Sequence, residues 1–194
     1  MKVSREQAAA NRERIIDVAG RLFRERGLDG IGVANLMKAA GLTHGGFYGH
    51  FESKEDLEVQ ACARALAQST ETWRAMAAKD PEAPLKGLLD RYLTAGHRDR
   101  PGEGCIYAAL ASDVARQNST ALRRTFTAGL RPFIDMLVRI VPGRSRAARR
   151  QKALACLSAM VGALILARAV DDTDLSGEIL AAARALSGEP SRQV

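Results

Sequence analysis

The first 27 residues carry apolar side chains at helical spacing between charged ones, which predicts an amphipathic helix. Ser4 followed by Gln7 fits a capping box at its start, and Gly27 is a typical C-terminal stop. The apolar stripe consists of Ile15, Ala19, Leu22 and Phe23. We therefore expect a helix from about residue 5 to residue 26.

Two shorter apolar patterns follow after a glycine-containing link. Residues 33–40 carry one apolar face, and Gly41 can adopt the left-handed conformation that ends a helix. Thr43 is a good N-cap for a third short helix through His50, which Phe47 and Phe51 would anchor. Three helices joined through a short glycine-containing turn predict a helix-turn-helix unit between Val33 and Phe51.

The rest of the chain keeps the helical period. Ser53 with Asp56 caps a long helix, and Pro132 is expected to kink or split a later one near Gly129. The predicted helices cover residues 53–79, 85–98, 105–117, 119–141, 145–170 and 173–186. We expect an all-α protein with a helix-turn-helix domain over residues 1–57 and a helical ligand-binding and dimerisation domain over residues 58–194.

Composition narrows the class of protein without locating a binding site. The net charge of the chain is +7, yet residues 1–60 hold nine basic and nine acidic side chains and are neutral overall. The N-terminus lacks the apolar core of a signal peptide, and the longest apolar stretch, residues 153–167, is shorter than the ~20 residues of a membrane span. We expect a cytoplasmic protein that contacts no membrane.

Cysteine usage and the spacing of titratable residues give no sign of a metal site or of catalysis. The three cysteines are far apart and show no C-x-x-C spacing. No clustered carboxylates, phosphate-binding loop or nucleophile with an adjacent base are recognisable. We expect neither an enzyme nor a protein with a metal or other cofactor.

The start of the third short helix is the candidate DNA-reading element. A recognition helix enters the major groove with its N-terminal end leading, and glycines there let the backbone approach DNA closely. A flexible loop without function is the alternative, and the histidines of this segment can equally be ordinary surface residues. The predicted DNA contacts are Thr43, His44, Gly45, Gly46, Tyr48, His50 and Lys54.

Roughly residues 12–60 carry, in order, a series of residues that match the sequence pattern of one protein family. The run AGLTHGGFYGHFESKEDL at residues 40–57, with the upstream Leu22-Phe23 and Gly27, resembles the TetR/AcrR family of transcriptional repressors. The resemblance implies that the candidate residues lie in the groove or on phosphates, with Lys54 on a phosphate. Gly32 departs from the family, which usually has a capping Thr or Ser there, and Met37-Lys38 replaces a more usual aliphatic-Ala pair.

The same resemblance implies that the last two helices pair with their copies in a four-helix dimer interface. Small residues such as Ser158 and Gly162 suit close helix approach. Packing within one protomer is the alternative. The predicted interface residues are Leu157, Val161, Leu164, Leu175, Ile179 and Leu186.

In the resembled family the C-terminal helices also form an effector pocket. Large side chains available to line it are Trp73, Tyr92, Tyr107, Phe126 and Phe133, with His97 as a polar anchor. Core packing is the alternative for each.

Cys105 is a further candidate for effector sensing, because it opens a predicted helix and follows Arg98 and Arg100, and such surroundings lower the pKa of a thiol. The Gly104-Cys105 pair resembles the N-ethylmaleimide-responsive branch of the family, in which a cysteine so placed senses electrophiles. A buried, inert thiol is the alternative.

The leading hypothesis is a ligand-responsive homodimeric repressor that binds a palindromic operator in double-stranded DNA and leaves it when a small-molecule or thiol-reactive effector binds. A non-specific architectural DNA-binding protein is the alternative. The DNA-binding residues do not encode whether the regulator represses or activates.

Overall fold

The computed structural model describes residues 4–185, and within them the chain is all-helical, as predicted from the sequence. Predicted interface residue Leu186 lies outside the described residues. The α-helices are α1 (Arg5–Arg26), α2 (Val33–Ala39), α3 (Lys54–Ala78), α4 (Pro84–Tyr92), α5 (Ala95–Asp99), α6 (Ile106–Arg116), α7 (Thr120–Ile140), α8 (Arg146–Ala169) and α9 (Thr173–Ala185). Two 3₁₀ helices cover His44–Gly49 and Pro101–Glu103.

The chain divides into two compact units, and the long helices α3 and α7 each contribute to both. The first unit contains Met1–Gln68 and Gly102–Gly129, and the second contains Ser69–Pro101 and Leu130–Val194. Helix α6 therefore belongs with the N-terminal helices. The functional division at residue 57 remains a prediction.

The first unit is held together by the apolar stripe that the sequence predicts in α1. Ile15, Ala19 and Phe23 are completely buried. The helix ends at Gly27, whose φ of 81° is a conformation that residues with a side chain rarely adopt. A Cβ atom at Gly27 would also lie 2.9 Å from a carboxylate oxygen of Asp113 in α6, so this turn requires glycine on two grounds.

The second unit buries the apolar faces of α4, α7 and α8. Leu88, Leu137 and Leu164 have no exposed surface. Ser145 caps α8 by accepting a hydrogen bond from the Ala148 amide at 3.1 Å. Helix α8 is long and apolar enough to cross a membrane, a property that core helices of soluble proteins share. Its 24 residues exceed the apolar stretch 153–167 that is visible in the sequence.

The structure corrects one predicted helix and excludes one of two predicted outcomes for another. Residues 85–98 form α4 and α5 instead of one helix, because the backbone leaves the helical region at Leu93 and Thr94 caps α5 through the His97 amide. Helix α7 continues through Pro132 without a split. Gly129 is a packing position, since a Cβ atom there would lie 2.8 Å from the Leu66 side chain.

Candidate nucleic-acid interface

The recognition segment, His44–Gly49, is a 3₁₀ helix that follows an extended Thr43 with φ −81° and ψ 147°. The Thr43 side chain forms no capping hydrogen bond, contrary to its predicted role, and its carbonyl accepts from the Gly46 amide at 3.1 Å instead. Two adjacent glycines disfavour a regular α-helix, which explains the tighter and shorter element.

Two phenylalanines anchor the recognition segment. Phe47 is fully buried and Phe51 is 3% exposed, and their ring centroids lie 5.5 Å apart. The residues around these anchors face outward: Thr43, His44 and Gly45 are exposed, and Tyr48 is 70% exposed. The aromatic pair therefore holds a polar surface of small and hydrogen-bonding groups toward solvent.

His50 is half-buried and lies beside a residue that the sequence reasoning missed. Arg12 from α1 lies over the Phe51 ring, with its guanidinium carbon 5.1 Å from the centroid, and it donates a hydrogen bond to Gln60. Arg12, Tyr48 and His50 line one open concavity of about 500 Å³. The position of Arg12 on the polar face of α1 was the only available signal, and it does not identify which element the side chain meets.

Lys54 has internal partners in this structure. Its ammonium group donates to the Leu28 carbonyl at 2.6 Å and lies 3.4 Å from the Glu58 carboxylate. Burial raises the pKa of Glu58, and the charge of Lys54 opposes that shift. Lys54 thus ties the start of α3 to the turn after α1, and its contact with a phosphate stays a prediction.

That turn is also tied to the segment 102–129 of the same unit. The Leu28 amide donates to Asp113 at 3.0 Å, and Arg24 donates to the Gly102 carbonyl through Nε at 2.8 Å. The Gln117 side chain donates to Asp29 at 3.2 Å. Helix α6 and its flanking residues are therefore bonded directly to the element that precedes the recognition segment.

Comparison with known proteins decides the family. Residues 15–61 match the model of bacterial regulatory proteins of the tetR family, close to the range 12–60 recognised in the sequence. The chain is 34% identical over 87 residues to the HTH-type transcriptional regulator AcrR of Shigella flexneri. It is 30% identical over 133 residues to the HTH-type transcriptional repressor DhaR of Mycobacterium sp. strain GP1. This chain belongs to the TetR family.

The sequence matches cover only part of this chain and of each relative, whereas the structural superposition covers nearly all of both chains. The AcrR match spans 45% of this chain and 40% of that relative, and the DhaR match spans 66% and 65%. The crystal structure of Escherichia coli NemR in its reduced form superposes with a TM-score of 0.75 over 92% of this chain and 95% of that one, at 23% identity. That identity shows a shared fold. The curated relatives carry the names of transcriptional regulators and not of enzymes.

Four of the predicted effector residues of this TetR-family chain pack against one another in the second unit. Trp73 meets Phe133 edge-on at a centroid distance of 3.8 Å and Tyr92 at 4.9 Å. His97 meets Tyr92 at 4.5 Å, and its Nδ1–H donates to the Tyr92 carbonyl at 2.7 Å. Burial lowers the pKa of His97, so its imidazole is neutral at pH 7.

The remaining predicted effector residues lie in the first unit. Tyr107 meets Phe126 edge-on at 5.8 Å, and the buried Tyr107 hydroxyl has no hydrogen-bond partner among the described residues. Burial also raises the pKa of Tyr107 well above its ordinary value.

Cys105 also lies in the first unit, where it is the N-cap of α6 and is only 1% exposed. Arg98, one of the cations predicted to act on it, pairs with Asp99 at 2.7 Å in the second unit. Arg24 of α1 interacts electrostatically with Cys105: burial lowers the pKa of Arg24, and the charges of Cys62 and Cys105 raise it. The sensing role of Cys105 stays a prediction, and the structure shows that its thiol is buried.

The predicted interface residues differ in their exposure. Leu157 and Leu164 are buried within the second unit, Val161 and Ile179 are half-buried, and Leu175 is 43% exposed. Exposed apolar residues on α8 that the sequence reasoning did not select are Leu154, Ile165 and Leu166. Within residues 4–185, no group of three His, Cys, Asp or Glu side chains is placed to hold a metal ion.

Proposed function

We propose that this protein is a sequence-specific, DNA-binding transcriptional repressor of the TetR type that acts in the cytoplasm as a homodimer on a palindromic operator. One observation carries the proposal: Thr43 and, from the recognition segment, His44, Gly45 and Tyr48 face solvent while Phe47 is buried. Small and hydrogen-bonding groups at a helix N-terminus suit base edges and phosphates. Gly45 has open space around it, so duplex backbone can approach closely.

The test is selection of bound fragments from random duplex DNA with the purified protein. We expect enrichment of one palindromic site, because a single short recognition segment reads few bases and two-fold symmetry doubles the site. A competition with unrelated DNA at fixed salt should show a preference of about 10³-fold or more. Binding without an enriched site would favour the architectural alternative.

The proposed dimer uses an outward face of α8. Leu154, Ser158, Gly162, Ile165 and Leu166 recur at helical spacing, and each is exposed or half-exposed. Gly162 has no atom within 4 Å of the position that a Cβ would take. A glycine inside a helix costs about 0.5–1 kcal/mol relative to alanine, and close approach of a partner helix gives it a use. Buried Leu157 and Leu164 support this face from behind.

Replacing Gly162 with leucine tests the dimer interface without disturbing the fold of the protomer. The added side chain meets open space within one chain but would hold a partner helix apart, so we expect Gly162→Leu to sediment as a folded monomer with unchanged helix content. Ala9→Leu places the same side chain on an exposed position of α1 and should leave the dimer intact. A dimeric Gly162→Leu variant would contradict the proposed face.

Release by an effector rests on the bonds between α6 and the turn after α1. Asp113 holds the Leu28 amide and Arg24 holds the Gly102 carbonyl, so movement of residues 102–117 displaces the base of the DNA-binding helices. The effector is a small molecule among the aromatic side chains or an electrophile that modifies Cys105. If Cys105→Ser is released from operator DNA by electrophiles as readily as the parent protein, the thiol is not the sensor.

A further inference from the structure

A basic groove lies in the second unit between the end of α7 and the start of α8. It has a volume of about 970 Å³, and its walls include Arg139, Arg146, Arg149 and Arg150 together with Val138 and Asp135. Four guanidinium groups face one carboxylate, so the lining carries a net charge of +3. Neither the DNA-binding surface nor the proposed effector residues include this groove.

The arginines of the groove lack the acidic partners that other arginines have. Arg64, Arg74 and Arg91 each pair with a carboxylate within 4 Å. Within residues 4–185, none of the four groove arginines forms an ion pair, although Asp135 lies in the same groove. Clustered guanidinium groups repel one another, and this charge is left without compensation inside the protein.

The buried Nε atom of Arg149 indicates that a ligand binds in the groove. This atom is buried and has no hydrogen-bond partner among the described residues. A charged donor in that position is costly unless an acceptor reaches the group. The stem of Arg149 packs over Gly143 so closely that a Cβ atom there would lie 2.7 Å from Cγ, so the α7–α8 turn is shaped around this side chain.

We propose that the groove binds a small molecule with at least two phosphate groups. Guanidinium groups present paired donors that match phosphate oxygens, and a cluster of four suits several phosphates better than one. The amino-terminal turn of α8 adds aligned backbone dipoles that favour the same charge. A volume of about 970 Å³ exceeds what one inorganic ion fills, and Val138 supplies an apolar wall for the rest of the molecule.

The shape of the site favours a small ligand over a DNA backbone. The groove is concave and Arg149 is only partly exposed, so its guanidinium is reached by a group that enters the groove. A duplex contacts protruding side chains along its length. The proposal does not depend on operator binding, since it concerns residues of the second unit alone.

The experiment is calorimetric titration of the full chain at fixed salt with sodium tripolyphosphate, with inorganic phosphate and with ATP. We expect one tripolyphosphate per chain and binding of inorganic phosphate at least about tenfold weaker, because fewer charge-assisted hydrogen bonds form. ATP that binds at least as tightly as tripolyphosphate supports use of the whole groove. Equal affinity for inorganic phosphate and tripolyphosphate would overturn the proposal.

Matched variants locate the site. Arg149→Gln and the exposed Arg150→Gln should each weaken tripolyphosphate binding by about tenfold, and thermal unfolding checks that Arg149→Gln remains folded. Arg131→Gln removes the same charge from an exposed position of α7 outside the groove and should leave the affinity within about twofold. An equal loss in Arg131→Gln would show non-specific charge attraction and overturn the proposal. Loss of short-duplex affinity in Arg150→Gln with tripolyphosphate binding intact would also overturn it, in favour of DNA.

Discussion

The recognition segment and the aromatic cluster of Trp73, Tyr92, His97 and Phe133 use aromatic residues in opposite ways. In the recognition segment, the buried Phe47 holds the 70% exposed Tyr48 toward solvent. In the aromatic cluster, Trp73, Tyr92 and Phe133 are all at least 96% buried and pack edge to face. The first region is formed and accessible before its ligand arrives, whereas the second is closed upon itself.

This difference indicates which of the two regions must rearrange when a ligand binds. A ligand of the recognition segment meets groups that already face outward. An effector that uses the aromatic cluster must separate packed rings, so its apparent affinity is reduced by the small population of the open state. If the recognition segment binds DNA and the aromatic cluster binds the effector, as proposed, the protein is expected to bind operator in the absence of effector.

The sharpest test of this comparison uses two neighbouring aromatic residues. Phe47→Ala removes a fully buried ring and should lower the free energy of unfolding by about 3–5 kcal/mol, whereas Tyr48→Ala should change it by less than about 0.5 kcal/mol. Tyr48→Ala should still weaken operator binding, because its side chain is presented to the ligand. Urea unfolding and DNA mobility shifts measure the two effects. Equal destabilisation by both changes would contradict the assignment of anchor and contact.

A smaller effect is expected at the bond between α6 and the DNA-binding helices. Asp113→Ala leaves the amide of the fully buried Leu28 without its acceptor and should destabilise the chain by about 1–3 kcal/mol. Asp90→Ala removes an exposed carboxylate that pairs with Lys86, and its unfolding midpoint should match that of the parent protein. If Asp113→Ala unfolds like the Asp90 control, α6 does not hold this turn in solution.

The smallest effect concerns His97 and the acidity of the solution. Its folded pKa lies below the ordinary 6.5, so the unfolded chain binds the proton first as the pH falls. The free energy of unfolding should therefore decrease as the pH drops through 6.5 and level off below the folded pKa. His97→Gln lacks this contribution, and subtracting its unfolding free energies from those of the parent between pH 5 and pH 7 isolates it. A flat difference would contradict the burial of a neutral His97.

Much of the helical architecture was predictable because local signals agree with the tertiary packing. The Ser4 cap and the Gly27 stop bound α1 within one residue of the prediction, and Gly41 adopts the expected positive φ of 71°. The break at Leu93 was missed, although Thr94 is a typical N-cap residue and no large apolar side chain follows Leu93 in the next turn. Helix α7 is continuous through Pro132, which excludes the predicted split near Gly129, and the alternative of a kink stays a prediction.

The candidate sites also combine features that the local sequence predicts with contacts that it does not. The spacing of Phe47 and Phe51 determined which face of the recognition segment is buried, and therefore that Tyr48 is exposed. The meeting of Arg12 with Phe51 joins α1 to a residue nearly forty positions away, and no local pattern encodes it. The internal bonds of Lys54 depend in the same way on where the Leu28 carbonyl lies.

By itself, the sequence determined most of the helices, the helix-turn-helix and the family, because capping, periodicity and glycine conformation act over a few residues. Only the tertiary structure decided that Cys105 is buried, that Leu157 and Leu164 face the protomer core, and that four arginines meet in one groove. Burial and charge pairing depend on distances between segments far apart in the chain. Those distances are set by packing, which no single segment contains.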